Sequence, residues 1–130
     1  MLGLLAREER GSAVAEFTLV GVLLTVLALA VVQLALALHV RNTVLDAAAE
    51  GARHAALAGS SEEAGIARTR ELIGVAVSPD YADDVEAGTS TVDGIAMVSV
   101  TVRAPLPVVG LLGLDRVLEV TGHAALETLE

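Results

Sequence analysis

An uninterrupted apolar stretch near the N-terminus constrains the fold of this chain most strongly. Residues 17–38 contain no charged side chain. At about 1.5 Å per residue, a helix of this length extends about 33 Å, which is enough to cross the hydrocarbon core of a bilayer. The apolar region of a secretory signal peptide is shorter, about 7–15 residues. The stretch therefore predicts a retained single membrane span and disfavours a secreted protein that sheds it.

Composition excludes several classes of function. The formal net charge is −9, so the chain repels phosphate backbones and nucleic-acid binding is not expected. Cysteine is absent, which rules out disulfides and thiolate sites within this chain. Aromatic residues make up only 2% of the chain, and such residues supply most of the wall area of ligand pockets. We therefore expect neither a cofactor nor a small-molecule site.

Helix-forming residues continue beyond the apolar stretch. The first proline is Pro79, and the sequence up to about residue 58 favours a soluble continuation of the membrane helix, with Gly59 as its C-cap. Ser60 and Glu63 match the Ser-x-x-Glu capping box. They predict a second helix that ends near Val77.

Three small residues recur at intervals of four in the soluble part of the first helix. Ala47, Gly51 and Ala55 therefore lie on one helix face. Small residues at this spacing allow another backbone to approach closely, so we predict a helix-packing site. High helix propensity alone is the alternative explanation for the alanines.

Alternating apolar residues replace the helical period after Pro79. The pattern predicts strands at about 85–92, 95–103 and 116–126, with a hairpin turn at Asp93-Gly94. Pro105 and Pro107 interrupt the pattern, and residues 108–114 are expected to form an apolar loop or a short helix. The predicted fold class is α+β, with a long N-terminal helix, a second helix and a small three-stranded antiparallel sheet.

Candidate metal ligands are scattered. The three histidines are far apart in sequence and form no i, i+4 pair, which argues against a metal site; they are His39, His54 and His123. An acidic cluster lacks the EF-hand spacing and is interpreted as a solvated turn, with weak calcium binding as the alternative; it consists of Asp80, Asp83, Asp84 and Glu86. Because no nucleophile–base motif occurs either, we expect no enzyme activity.

The residues ahead of the apolar stretch carry the most specific signal. A short charged leader ends at Gly11, and Glu16 is a lone acid at the start of the uncharged helix. An acid at the centre of a membrane helix costs about 2.5–3.5 kcal/mol, and less near the ends, so Glu16 needs a partner or a wet position. Cleavage after Gly11 would create an α-amine on Ser12, which is positively charged near neutral pH. That amine would be able to pair with Glu16 of its own chain or of a neighbour.

This arrangement resembles a known processing signal. The Gly11-Ser12 junction followed by Glu16 and Phe17 resembles the class III signal of type IV pilins. The Glu-Phe pair, the Asp-Ala-Ala-Ala-Glu-Gly-Ala-Arg-His-Ala sequence at 46–55 and the chain length resemble the TadE-like proteins of tight-adherence (Tad) pili. The resemblance implies a minor pilin or pseudopilin that takes part in pilus assembly.

The resemblance also implies site residues, partners and topology. Prepilin peptidase would cut between Gly11 and Ser12, while Glu16 and Phe17 would serve recognition and assembly with other pilins and Tad membrane assembly proteins. Residues 1–11 would be the leader, 12–59 the transmembrane and extended helix, and 60–130 a small α+β domain outside the cytoplasm. The N-terminus would face the cytoplasm and the span would contact the lipid bilayer of the cytoplasmic membrane.

One feature departs from the pattern and keeps an alternative open. Two of the four leader charges are acidic, which weakens the positive-inside signal. The alternative is an uncleaved single-pass signal anchor that presents an extracytoplasmic binding or adhesion domain.

Overall fold

The fold is α+β, as predicted. The computed structural model describes residues 2–106 and 117–128, with side chains from residue 6 onward. Two helices precede a three-stranded sheet: α1 (Leu2–Ala56), α2 (Glu62–Ala76), a short 3₁₀ turn (Pro79–Ala82), β1 (Asp84–Val92), β2 (Ile95–Pro105) and β3 (Val117–Ala125). The loop or short helix predicted for 108–114 lies outside the described residues. The chain divides into two compact units, residues 1–35 and 36–130, and α1 contributes to both.

The first unit consists of helix α1 with its apolar side chains on the surface. Every side chain from Ala6 to Val32 is exposed, and none of the apolar helix surface is buried within the chain. In the described part of the protein, α1 is the one helix long and apolar enough to cross a membrane. An isolated apolar helix is stable only where lipid or other helices cover it, because exposed apolar area costs about 25 cal/mol per Å² in water.

In the second unit, the helices cover one face of the sheet. The strand order is β1-β2-β3, with both neighbouring pairs antiparallel. Alternation along the central strand β2 buries Val98, Val100 and Val102. These valines form the core with residues of all the other helices and strands, among them Val44 and Ala48 of α1, Ile73 of α2, Val85 of β1 and Val120 of β3. The core is therefore built from small and branched aliphatic side chains.

The connections follow local backbone chemistry, with one correction. Asp93 and Gly94 both have positive φ, 52° and 82°, as a two-residue hairpin turn requires. Gly59 also has a positive φ, 80°, although α1 ends at Ala56, earlier than predicted. The predicted capping box was displaced by one residue: the N-cap of α2 is Ser61, whose hydroxyl accepts a hydrogen bond from the Ala64 amide at 3.2 Å. Ser61, and not the preceding Ser60, is therefore the N-cap of α2.

A glycine in β3 allows the sheet to lie close against α1. A Cβ placed on Gly122 would lie 2.5 Å from the carbonyl carbon of Ala48 and 2.6 Å from Cα of Ala49. Both are backbone atoms, so no side chain is able to rotate away. In β1, by contrast, a Cβ on Gly88 would find its nearest neighbour, the Ser99 hydroxyl, at 3.8 Å. Gly122 is therefore required by packing, whereas Gly88 is not.

This contrast gives a matched pair of substitutions. We expect Gly122→Ala to lower the free energy of unfolding by about 1–3 kcal/mol, because overpacking here forces the strand away from the helix. Gly88→Ala should leave it unchanged or raise it by up to about 1 kcal/mol, since alanine restricts the unfolded chain. Urea unfolding of the full chain in detergent, followed by circular dichroism, measures both. Equal stability of the two variants would contradict the close contact.

Candidate functional site

The four residues of the predicted processing and recognition signal lie on one continuous helix. Gly11, Ser12, Glu16 and Phe17 all belong to α1, which begins at Leu2 and shows no break at the predicted junction. All four are exposed, and Phe17 is 81% exposed. The helix thus presents all four outward.

Glu16 differs from the other polar groups near the apolar stretch. The Thr18 hydroxyl donates to the Val14 carbonyl at 2.9 Å, and the Thr25 hydroxyl donates to the Gly21 carbonyl at 2.8 Å. A hydroxyl satisfied by its own helix is tolerated in an apolar medium. Within the described residues, the Glu16 carboxylate has no hydrogen bond or ion pair. The described part of the fold therefore supplies no partner for this acid.

Two glycines of α1 have no packing role among the described residues. A Cβ on Gly11 or Gly21 would meet nothing within 4 Å. Glycine in a helix interior costs about 1 kcal/mol relative to alanine, so each lowers helix stability without a compensating contact among the described residues.

The small residues farther along α1 do have a packing role. Ala47, Gly51 and Ala55 are buried where α1 crosses α2. A Cβ on Gly51 would overlap the Thr69 hydroxyl and lie 2.7 Å from the Gly65 carbonyl oxygen, and a Cβ on Gly65 would lie 2.6 Å from the Ala55 methyl carbon. The two backbones approach closely because both glycines lack a side chain.

Thr69 completes this crossing and was missed by the sequence reasoning. It is fully buried, and its hydroxyl donates to the Gly65 carbonyl at 2.9 Å, with the Ala47 carbonyl at 3.5 Å. Burial without such a bond would cost about 1–3 kcal/mol. Gly65 and Thr69 are four residues apart, so the small-residue spacing that marks α1 also occurs on α2 and offered a signal for the contact.

Comparison with known proteins identifies the N-terminal part of the chain. A family model described as TadE-like protein matches from Gly11 to Arg53. Residues 11–53, called the TadE-like segment here, are similar to this family. The predicted resemblance is thereby confirmed for this segment, which is about a third of the chain. No curated protein and no solved structure matches the chain.

The TadE-like segment contains most of the predicted site. It begins at Gly11, includes Ser12, Glu16 and Phe17, and ends two residues before Ala55. It links the chain to Tad pilus-related function, and TadE-like proteins are not an enzyme family. The sheet and α2 lie beyond the matched residues.

Outside the TadE-like segment, the acidic cluster is organised by an arginine. Arg103 of β2 donates to Glu119 of β3 at 3.0 Å and to Glu86 of β1 at 3.2 Å, and lies 3.7 Å from Asp84. These bonds, first with Glu86 and then with Glu119, raise the pKa of Arg103 above its ordinary value. Two of the acids considered for calcium therefore face an arginine, and the described residues contain no group of three metal-ligating side chains.

The surface of α1 beside the crossing carries another ion pair. Glu50 pairs with Arg53 at 3.3 Å rather than with the neighbouring His54. The two residues are exposed and lie about one helical turn apart, so the pair contributes little to stability, about 0.3–0.5 kcal/mol. The packing of α1 against α2 therefore stabilises this part of the helix more than the ion pair does.

The crossing is testable with two glycines of the TadE-like segment. We expect Gly51→Ala to lower the free energy of unfolding by about 1–3 kcal/mol, because the new methyl group meets Thr69 and a backbone carbonyl. Gly21→Ala, where nothing lies within 4 Å, should gain up to about 1 kcal/mol of helix stability. Thermal unfolding in detergent compares the two variants. A Gly51→Ala protein as stable as the Gly21→Ala protein would rule out the tight crossing.

Proposed function

We propose that the chain is a membrane-anchored pseudopilin or minor pilin that takes part in assembling a Tad-type pilus. The observation that carries the proposal is the TadE-like match, which begins at the glycine where processing is predicted. The exposed apolar surface of α1 supports membrane anchoring before assembly and contact with other pilin helices afterwards. Other pilins and Tad membrane assembly proteins are the proposed partners.

Processing is the first step of the proposed function. Prepilin peptidase cuts between Gly11 and Ser12, the leader stays on the cytoplasmic side, and residues 60–130 lie outside the cytoplasm. Among the described residues nothing lies within 4 Å of a Cβ placed on Gly11, so the junction is open to an enzyme that approaches from outside, which supports this role. Cleavage gives Ser12 a positive α-amine at the end of a helix whose backbone dipole is also positive there.

Glu16 is the proposed docking residue. Its carboxylate lies four residues from the new amine, on the exposed surface of α1. Pairing with the amine of its own chain or of a neighbouring pilin would replace lost hydration by a charge-assisted bond. The apolar neighbours of Glu16, including Phe17, keep water away from that bond, so the pair would fix the register between adjacent helices.

The N-terminal residue of the mature protein tests processing. In cells that contain prepilin peptidase, mass spectrometry of the membrane-isolated protein should give Ser12 as the first residue. Gly11→Leu should retain the leader, because the peptidase site is lost while the helix remains intact. Gly21→Leu, at an equally open position, should still be cut. A wild-type protein that keeps residues 1–11 would instead favour the uncleaved signal anchor with a binding or adhesion domain.

Substitution of Glu16 tests docking separately from processing. We expect Glu16→Val to insert into the membrane and to be cleaved normally, but to lower piliation by about tenfold or more. A charge-assisted hydrogen bond contributes about 1.5–3 kcal/mol, and 1.4 kcal/mol corresponds to a factor of ten.

Thr25→Val is the matched control for this experiment. It also removes a polar group from α1, but one that already bonds to its own helix, so piliation should stay near the wild-type level. Electron microscopy counts the pili of both strains. Normal piliation in Glu16→Val cells would remove the docking role from Glu16.

A further inference from the structure

Apolar side chains are exposed at the end of the sheet where β2 stops and β3 starts. Val117 opens β3 and is 64% exposed, and its register partner Pro105 is also exposed. Leu106 follows Pro105 and is partly buried against the core that includes Val40 of α1. These three residues, Pro105, Leu106 and Val117, are called the β2–β3 end below. In water, this end leaves aliphatic surface uncovered.

Contacts with α1 give the direction of β3. Gly122 lies against the backbone of Ala48 and Ala49, and the Glu127 amide donates to the Ala56 carbonyl at 2.9 Å. Progress along β3 therefore follows α1 toward its C-terminus. Progress in the opposite sense, from Gly122 to Val117, leads back toward the part of α1 that precedes Ala48.

The level of Val117 along α1 follows from residue spacing. Five strand residues extend about 17 Å, which equals about 11 residues of a helix that runs parallel to the strand. The observed contacts give a smaller number of helix residues for the same five strand residues, because the stretch from Gly122 to Glu127 lies beside the stretch from Ala49 to Ala56. Val117 is therefore level with residues between about 37 and 42 of α1.

This level is where α1 changes its surroundings. Leu36 and Leu38 are exposed, whereas Val40 is the first fully buried residue of the helix. The predicted membrane span ends at Leu38, within the same stretch of α1. The sequence that joins Leu106 to Val117 is also uncharged up to Leu114.

We propose that the β2–β3 end rests on the surface of the lipid bilayer that holds α1, as a second membrane contact of this protein. The proposal rests on the membrane anchoring of the proposed function. Interfacial binding scales with the apolar area that is covered, and exposed Val117 and Pro105 supply that area. Asp84 begins β1 at the same end of the sheet and Asp83 directly precedes it, so the contact is shallow and fits zwitterionic headgroups better than anionic ones.

The chain contains no tryptophan, so single tryptophans report on position. The full chain is reconstituted into phosphatidylcholine vesicles whose acyl chains carry bromine near the headgroups. We expect the fluorescence of Val117→Trp to be blue-shifted and quenched about twofold or more, because an interfacial indole contacts these lipids. Ile95→Trp is the matched control, since Ile95 is a similarly exposed strand residue (56%) at the opposite end of the sheet. It should not be quenched.

A third variant separates this inference from the anchoring on which it rests. Phe17→Trp lies on the apolar part of α1 and should be quenched wherever α1 is in the bilayer. Quenching of Phe17→Trp with none of Val117→Trp would overturn the second contact and leave the anchor intact. No quenching of Phe17→Trp would overturn both. Should Val117→Trp not fold, Pro105→Trp on the adjoining strand replaces it, with the same outcomes expected.

Discussion

The close approach of α1 to its neighbours in the second unit decides where the remaining elements lie. Gly51 and Gly65 allow the two helix backbones to meet, and Gly122 allows β3 to lie against the same helix. At each of these places a single methyl group would meet backbone atoms at less than 3 Å. Such contacts fix position more strictly than a layer of flexible side chains would, because backbone atoms have no alternative rotamers. The sheet that these contacts position also carries the ion pairs of Arg103 and the β1–β2 hairpin.

Two different kinds of apolar surface follow one another along α1. Leucine and valine dominate from Val14 to Leu38 and are exposed, whereas alanine and glycine dominate from Ala47 to Ala56 and are mostly buried. Large aliphatic side chains suit lipid tails, which impose no fixed shape on their neighbours. Small residues suit a backbone that approaches closely and stays in place. The change in side-chain size thus separates an exposed surface, of the kind that suits lipid, from a surface packed within a folded domain.

The regular elements were predictable because they depend on local pattern. Alternation of apolar residues identified the three strands, and Asp93-Gly94 identified the hairpin. Contacts between distant residues were less accessible. Nothing local marks Gly122 as different from Gly88, since only the position of α1 makes a side chain impossible at one and acceptable at the other.

The acidic cluster shows the same limit. Glu86 and Arg103 are 17 residues apart, and only the strand register brings them together. The sequence alone presented four neighbouring acids and therefore left calcium open. In the predicted processing site, by contrast, the informative features are residue types and spacing on one helix, which is why the family resemblance was visible before the fold.

The glycines of α1 differ in what surrounds them. A helical glycine weakens its helix by about 1 kcal/mol relative to alanine. For Gly51 this loss is offset by the crossing with α2, which a side chain would block. For Gly11 and for Gly21 no such contact exists among the described residues, so packing does not distinguish these two glycines. Their places in the sequence do: the match to TadE-like proteins begins at Gly11, ahead of the apolar stretch, whereas Gly21 lies within that stretch, and for this reason the proposed cleavage is assigned to Gly11.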